Sequence, residues 1–124
     1  MRRHHISFFH AWNGIIYNFS TQPNFRVHIF FALLAVILGF YFQIEPWQWL
    51  IVVFTITLVI VAEMINTALE SIVDLVTTEH QENAKIAKDT AAGMVLVTAI
   101  MSLIVAILIF APYFIDYLPL ITYN

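Results

Sequence analysis

Ala62-Glu-Met-Ile-Asn-Thr-Ala-Leu-Glu-Ser-Ile-Val-Asp74 ends a long apolar run in a ladder of polar groups. Glu63, Asn66, Glu70 and Asp74 follow one another at intervals of three, four and four residues. At about 100° per residue, all four fall within roughly a third of a helix circumference, one above another. Met64, Ile65, Leu69, Ile72 and Val73 cover the remainder. An apolar helix with a polar stripe at one end places carboxylates at a membrane–water boundary. Ionisable groups are costly there and mark a functional site by default. The chemistry is therefore expected where lipid head groups meet the cytosol.

Upstream, Trp47 to Ala62 is free of charge. It is about 24 Å long as a helix, slightly short of a ~30 Å hydrocarbon core. Glu63 then lies near the far edge of the bilayer, with Glu70 and Asp74 beyond it. A second apolar run, Val27 to Ile44, is expected to end at Glu45-Pro46, because proline cannot continue a hydrogen-bonded helix. A third, from Thr90 to about Phe110, is expected to stop at Pro112. With their polar ends included, the expected helices cover 27–44, 47–74 and 84–112. The 124-residue chain is 61% hydrophobic and 10% charged, too apolar for a soluble domain of this size. One all-α integral membrane domain over 1–124 follows, with three transmembrane helices.

Before the first span, Phe8, Phe9, Trp12, Ile15, Ile16 and Phe19 recur at helical spacing. They predict an amphipathic surface helix over about 5–20, lying on the cytoplasmic leaflet. All five Lys and Arg residues agree on orientation: Arg2, Arg3 and Arg26 precede the first span, and Lys85 and Lys88 lie between the other two. By the positive-inside rule the N-terminus and the acidic stripe are cytoplasmic and the C-terminus is outside. No secretory leader is expected, since the first apolar run is too long for one. The net charge of −3 argues against nucleic acid as a partner. The lack of cysteine excludes disulfides and thiolate chemistry. Thr78 and Gln81 are placed to form a capping box for the third span.

Two acids seven residues apart on one face, with Asn66 between them, can supply a general base and a hard oxygen ligand. Mg²⁺ suits that arrangement, usually taking one or two carboxylates plus substrate phosphates and water. Across the loop, Lys88 can neutralise phosphate charge, and Asp89 can orient it or bind adenosine's sugar. Base, metal and cationic clamp are the parts of phosphoryl transfer. No P-loop or kinase glycine-rich loop is present. Lys85 reads as an ordinary helix-start charge, an i,i+4 partner of Asp89.

The segments Glu63-Met-Ile-Asn-Thr-Ala-Leu-Glu70, Val73-Asp74-Leu75, His80 and Ala84-Lys-Ile-Ala-Lys-Asp-Thr-Ala-Ala-Gly93 resemble the signature of the bacterial diacylglycerol kinase/undecaprenol kinase family. Phe9-His-Ala-Trp-Asn-Gly14 and Asn24-Phe-Arg-Val-His28 extend the resemblance over nearly the whole chain. It implies a three-span trimeric enzyme of the bacterial inner membrane with sites shared between subunits. The reaction implied is transfer of the γ-phosphate of MgATP to a lipid alcohol. By the same resemblance Glu63 is the general base, Asn66 lies beside it in the catalytic region, and Glu70 is a metal ligand. Asp74, Glu79, His80, Lys88 and Asp89 would join Glu70 around the nucleotide, with Arg3 and Trp12 on the surface-helix side near the lipid. Asn24 to His28, with Asn66 to Glu70 and Val73 to Thr77, is more similar to the Gram-positive undecaprenol kinase branch.

One position departs from the family's pattern. Gln22 stands where a second metal-binding glutamate is normal, just before Asn-Phe. Its neutral amide is a poorer Mg²⁺ ligand than a carboxylate. The alternative this raises is a catalytically silent member acting as an oligomeric scaffold. A small transporter is disfavoured, because such proteins carry polar groups at the midplane, where this chain has only Thr55, Thr57 and small residues.

Overall fold

The computed structural model describes the backbone of residues 7–122 and the side chains of 7–118. Four helices account for almost all of it: α1 (Phe8–Thr21), α2 (Pro23–Tyr41), α3 (Pro46–Val76) and α4 (Glu82–Thr122). Three of them, α2, α3 and α4, are long and apolar enough to cross a membrane. The first residues of the expected surface helix, and Arg3, lie outside the described residues.

Two breaks in the helices are made the same way. Pro23 and Pro46 each occupy the first turn of the helix they open, where a missing N–H costs nothing. The preceding Gln22 and Glu45 are extended, as a following proline ring demands. At the start of α3 the Glu45 N–H donates to Gln48 Oε1 (2.9 Å), satisfying one end of the helix.

The ends of the expected spans shift. Helix α2 begins at Pro23 and stops at Tyr41, ahead of the Glu45-Pro46 stop. Gln43 adopts a left-handed conformation with φ 51°. The Ile44 N–H then reaches Gly39 O (3.1 Å) and the Gln43 N–H reaches Phe40 O (3.3 Å). That pair of bonds is a Schellman cap, and it swings Ile44 into the core. At the other end of the chain, Pro112 does not stop α4, which continues to Thr122. A proline inside a helix removes one hydrogen bond and is tolerated where neighbours hold the next turn. Here Tyr113 stacks on Phe42 (5.4 Å between centroids), and its hydroxyl donates to Gln48 Oε1 (2.5 Å). Phe114 meets the same Phe42 ring edge-on at 4.8 Å. The capping box expected of Thr78 and Gln81 is not formed. Thr77 Oγ1 instead accepts the Glu79 N–H (3.1 Å), turning the loop one residue earlier.

Helix α3 is central. It packs most extensively on α4, less on α2, while α1 leans on α2 and α3. Its buried residues are Val52, Thr55, Val59, Ala62, Glu63 and Thr67, a single face. The core cluster of Ile44, Val52, Ile109 and Phe110 joins the end of α2, the start of α3 and the C-terminal half of α4. At 31 residues α3 is about 46 Å long, so its acidic end extends past a ~30 Å apolar layer.

The tight point of this cluster is Gly39, where an added Cβ would lie 2.6 Å from the Trp49 ring. That ring is also held by Phe40 at 4.8 Å and has little room to yield. Gly39→Ala should destabilise the bundle by ~1–3 kcal/mol, the range for overpacking. Gln43→Gly should act oppositely, by about 1 kcal/mol or less, because glycine adopts positive φ without a Cβ clash. Thermal unfolding of the two variants in one detergent checks both signs.

Candidate active site

The acidic ladder begins inside the protein. Glu63 is 3% exposed, on the same face of α3 as the core residues Val52 and Val59. One turn on, Thr67 is also buried and returns its hydroxyl to the Glu63 carbonyl (3.1 Å), so it does not compete for the carboxylate. Asn66 and Glu70 are half-buried, and the Asn66 amide N–H donates to Glu70 Oε1 (3.2 Å). The i,i+4 spacing read from the sequence thus becomes a bonded pair, with Glu63 on the turn before it.

Against Glu63 lies a residue of another helix. His28, one turn into α2, brings Nε2 to 3.1 Å from Glu63 Oε1. The approach does not meet the directional requirement of a hydrogen bond, so Oε1 keeps no hydrogen-bonded partner. Asn66 Oδ1 and, on α1, Asn18 Oδ1 are likewise buried without one. The Asn18 Nδ2 donates to Gly14 O (3.0 Å), and Asn18 is the buried residue of α1. All three atoms are acceptors, and buried acceptors without partners are uncommon. They suit a hydroxyl donor or a cation.

A second group of residues surrounds the α3–α4 loop. Asp74, Glu79, His80, Lys88 and Asp89 line one open pocket of about 530 Å³. Lys88 Nζ donates to Asp74 Oδ1 (2.6 Å), bridging α3 and α4, and it also feels the charge of Glu70. Asp89 is engaged by Lys85 across one helical turn, the pairing expected for an ordinary helix start. Both ion pairs are largely exposed, with side-chain exposures of 42–75%. Such pairs contribute little to stability and are free to be remade around a ligand.

The remaining expected residues are dispersed. Gln22 sits at the α1–α2 break, half-buried, its amide N–H on Thr21 Oγ1 (3.2 Å). Trp12 is 61% exposed on α1. Among the described residues no group of three or more acidic or imidazole side chains is clustered as a metal cage. Glu70 with Asn66 still offers hard oxygen donors, which fits Mg²⁺ when nucleotide phosphates and water complete its shell. Sequence reasoning did not single out His28 or Asn18. A histidine at the start of an apolar span was a signal for the first. Nothing in the spacing of α1 distinguished Asn18.

Three helices long and apolar enough to cross a membrane, with a carboxylate ladder at one end of the central one, define the class: an all-helical protein with three candidate spans and a buried acid. The family model described as prokaryotic diacylglycerol kinase matches residues 9–110, and the chain belongs to that family. It is 45% identical over 101 residues to a diacylglycerol kinase of Synechocystis, covering 81% of this chain and 58% of that one. To the undecaprenol kinase of Bacillus subtilis it is 40% identical over 112 residues, covering 90% and 91%. A diacylglycerol kinase of Escherichia coli is 26% identical over 95 residues, 77% of this chain and 78% of its own. The relatives are named as lipid kinases.

The two lysines separate ligand binding from helix stability. Lys88→Ala should leave thermal unfolding nearly unchanged, as for exposed pairs generally, yet weaken binding of a fluorescent nucleotide several-fold. Lys85→Ala should leave that binding within about twofold. Equal effects from the two would remove Lys88 from the site.

Proposed function

We propose that the protein transfers the γ-phosphate of ATP, as its Mg²⁺ complex, to the hydroxyl of a membrane lipid alcohol. The observation that carries this reading is Glu63: a buried carboxylate against His28, one turn before the Asn66–Glu70 pair. Family membership supplies the reaction class. In this reading Glu63 accepts the proton of the lipid hydroxyl as its oxygen attacks the γ-phosphorus. The bridging P–O bond breaks and its electron pair leaves with ADP. Glu70 and Asn66 would hold Mg²⁺, which supplies charge neutralisation on the phosphates. Lys88 would shed Asp74 to clamp the nucleotide, with Glu79, His80 and Asp89 around the loop pocket. Positioning and charge stabilisation account for most catalysis in phosphoryl transfer.

Undecaprenol is the favoured acceptor over diacylglycerol. The Bacillus undecaprenol kinase matches over nearly the full length of both chains, which supports that choice. The proposed assembly is a homotrimer in the bacterial inner membrane, with N-terminus and site cytoplasmic. In support, one chain buries Glu63 but leaves Asn66 and Glu70 half-exposed, a part of the stripe that a neighbouring subunit can cover. The large apolar side chains of α1 point outward, with Phe8, Phe9 and Trp12 more than half exposed, which supports a helix lying in the interface. A midplane transport site finds no support. Thr55 and Thr57 each donate to a carbonyl one turn back in α3 (2.7 and 2.8 Å), and Ser102 does the same within α4 (2.7 Å).

Transfer of labelled phosphate from ATP to undecaprenol and to diacylglycerol in purified membranes tests the function. Glu63→Gln should lower turnover ~10²–10⁴-fold, the usual range for losing a general base, without unfolding the protein. Near-native turnover in that variant would show that Glu63 is not the base.

Gln22 tests the metal arrangement. Gln22→Glu adds an anionic oxygen where the family has one, so half-maximal activity should need less Mg²⁺ and turnover should not fall. Without metal the new carboxylate should lower stability, by about 1 kcal/mol where it meets another acid in a partly dry site. If the wild type transfers no phosphate at any Mg²⁺ concentration and Gln22→Glu restores transfer, the scaffold reading gains the wild-type chain.

A further inference from the structure

His28 stands between two environments. On one side it touches Glu63, and on the other it closes the polar end of an apolar cleft of about 340 Å³ between α2, α3 and α4. The hydroxyls that share this cleft are already committed, Thr55 to Ile51 O (2.7 Å) and Ser102 to Ala99 O (2.7 Å). Among the described residues, Glu63 is therefore the polar partner left to the imidazole. The reverse also holds. Glu63 Oε1 is buried without a hydrogen bond, and no Lys or Arg among the described residues forms an ion pair with it. A buried carboxylate is costly to leave unpaired, so the one close imidazole bears directly on its orientation.

We propose that His28 is a positioning residue for Glu63. The imidazole holds Oε1 against α2 and thereby leaves Oε2 as the oxygen that faces an incoming lipid hydroxyl. The 3.1 Å approach is off the hydrogen-bond direction in the ligand-free chain, and in this proposal it aligns once the acceptor alcohol is bound. Catalytic hydrogen bonds commonly align only in the substrate complex. This role rests on Glu63 being the base in phosphate transfer.

The side-chain exposures of the pair, 19% and 4%, make a ring-for-ring replacement the informative one. His28→Phe keeps the ring and removes both nitrogens, and His28→Gln keeps an N–H donor at similar reach. Turnover should fall roughly 10–100-fold in His28→Phe, the range for removing a partner that orients a working group. KM for ATP should stay within about twofold, and His28→Gln should recover part of the loss. In a Glu63→Gln background, His28→Phe should cost nothing further, since its effect runs through Glu63. A multiplicative loss in the double variant, or unchanged turnover in His28→Phe, would overturn the proposal.

A second readout does not depend on activity: labelling of Glu63 by an apolar carbodiimide, followed by peptide mass analysis. His28→Phe should change the labelling rate at Glu63 at least threefold while leaving Glu45 unaltered. If the wild type transfers no phosphate yet the labelling rate responds, the lipid-kinase reading fails and the coupling of the two residues stands. If neither responds, both fail.

Discussion

A carboxylate on the packed face of a membrane-spanning helix must be enclosed by protein, and this requirement shapes the whole bundle. Glu63 shares its face of α3 with Val52, Thr55, Val59 and Thr67. The contacts that bury the apolar half of that face therefore also set the azimuth of the acidic half. Rotating α3 to expose Glu63 to lipid would strip the core cluster of Val52 at the same time. One helix surface thus carries the core cluster at one end and the buried carboxylate at the other. Polar groups placed this way in a bilayer are retained because the surrounding protein, not lipid, meets them.

The two ends of the bundle differ in how firmly they are built. Far from the acids, the Schellman cap at Gln43, the close passage of Gly39 under Trp49 and the Tyr113–Gln48 bond join α2, α3 and α4. Near the acids, Phe25, Ala62 and Ala91 are buried, and the polar ties beside them are the exposed Lys88–Asp74 bridge and the His28–Glu63 contact. Small apolar contacts fix geometry to fractions of an ångström, whereas exposed ion pairs exchange readily with water or a ligand.

The grouping of the candidate residues was legible in the sequence where they lie on one helix. Glu63, Asn66 and Glu70 follow from spacing alone, and the Asn66–Glu70 bond is what i,i+4 neighbours do. The loop residues Asp74, Glu79, His80, Lys88 and Asp89 also come together around one pocket, because a short loop has few ways to close. Pairings within that group were less legible. Asp89 goes to Lys85 by helix geometry, but Lys88 reaches across to Asp74 only because α3 and α4 pack side by side. Helix ends were misread where a proline was taken as the sole signal. Gln43 ends α2 first by turning left-handed, and Phe42 with Gln48 carries α4 through Pro112.

By itself the sequence determined that this is a three-span helical membrane protein with stacked acids at one end of the central span, because hydrophobic length and helical period are local properties of a chain. Its motifs also determined the family. Tertiary structure alone decided what those acids meet. His28 is 35 residues from Glu63 in the chain; its place at the start of an apolar span marks it as unusual but does not name its partner. Only the packing of α2 on α3 brings imidazole and carboxylate together. Asn18, likewise, becomes a buried acceptor only when α1 folds back on α2 and α3. Contacts between helices depend on crossing geometry and side-chain shape summed over whole faces, and no local pattern encodes that sum.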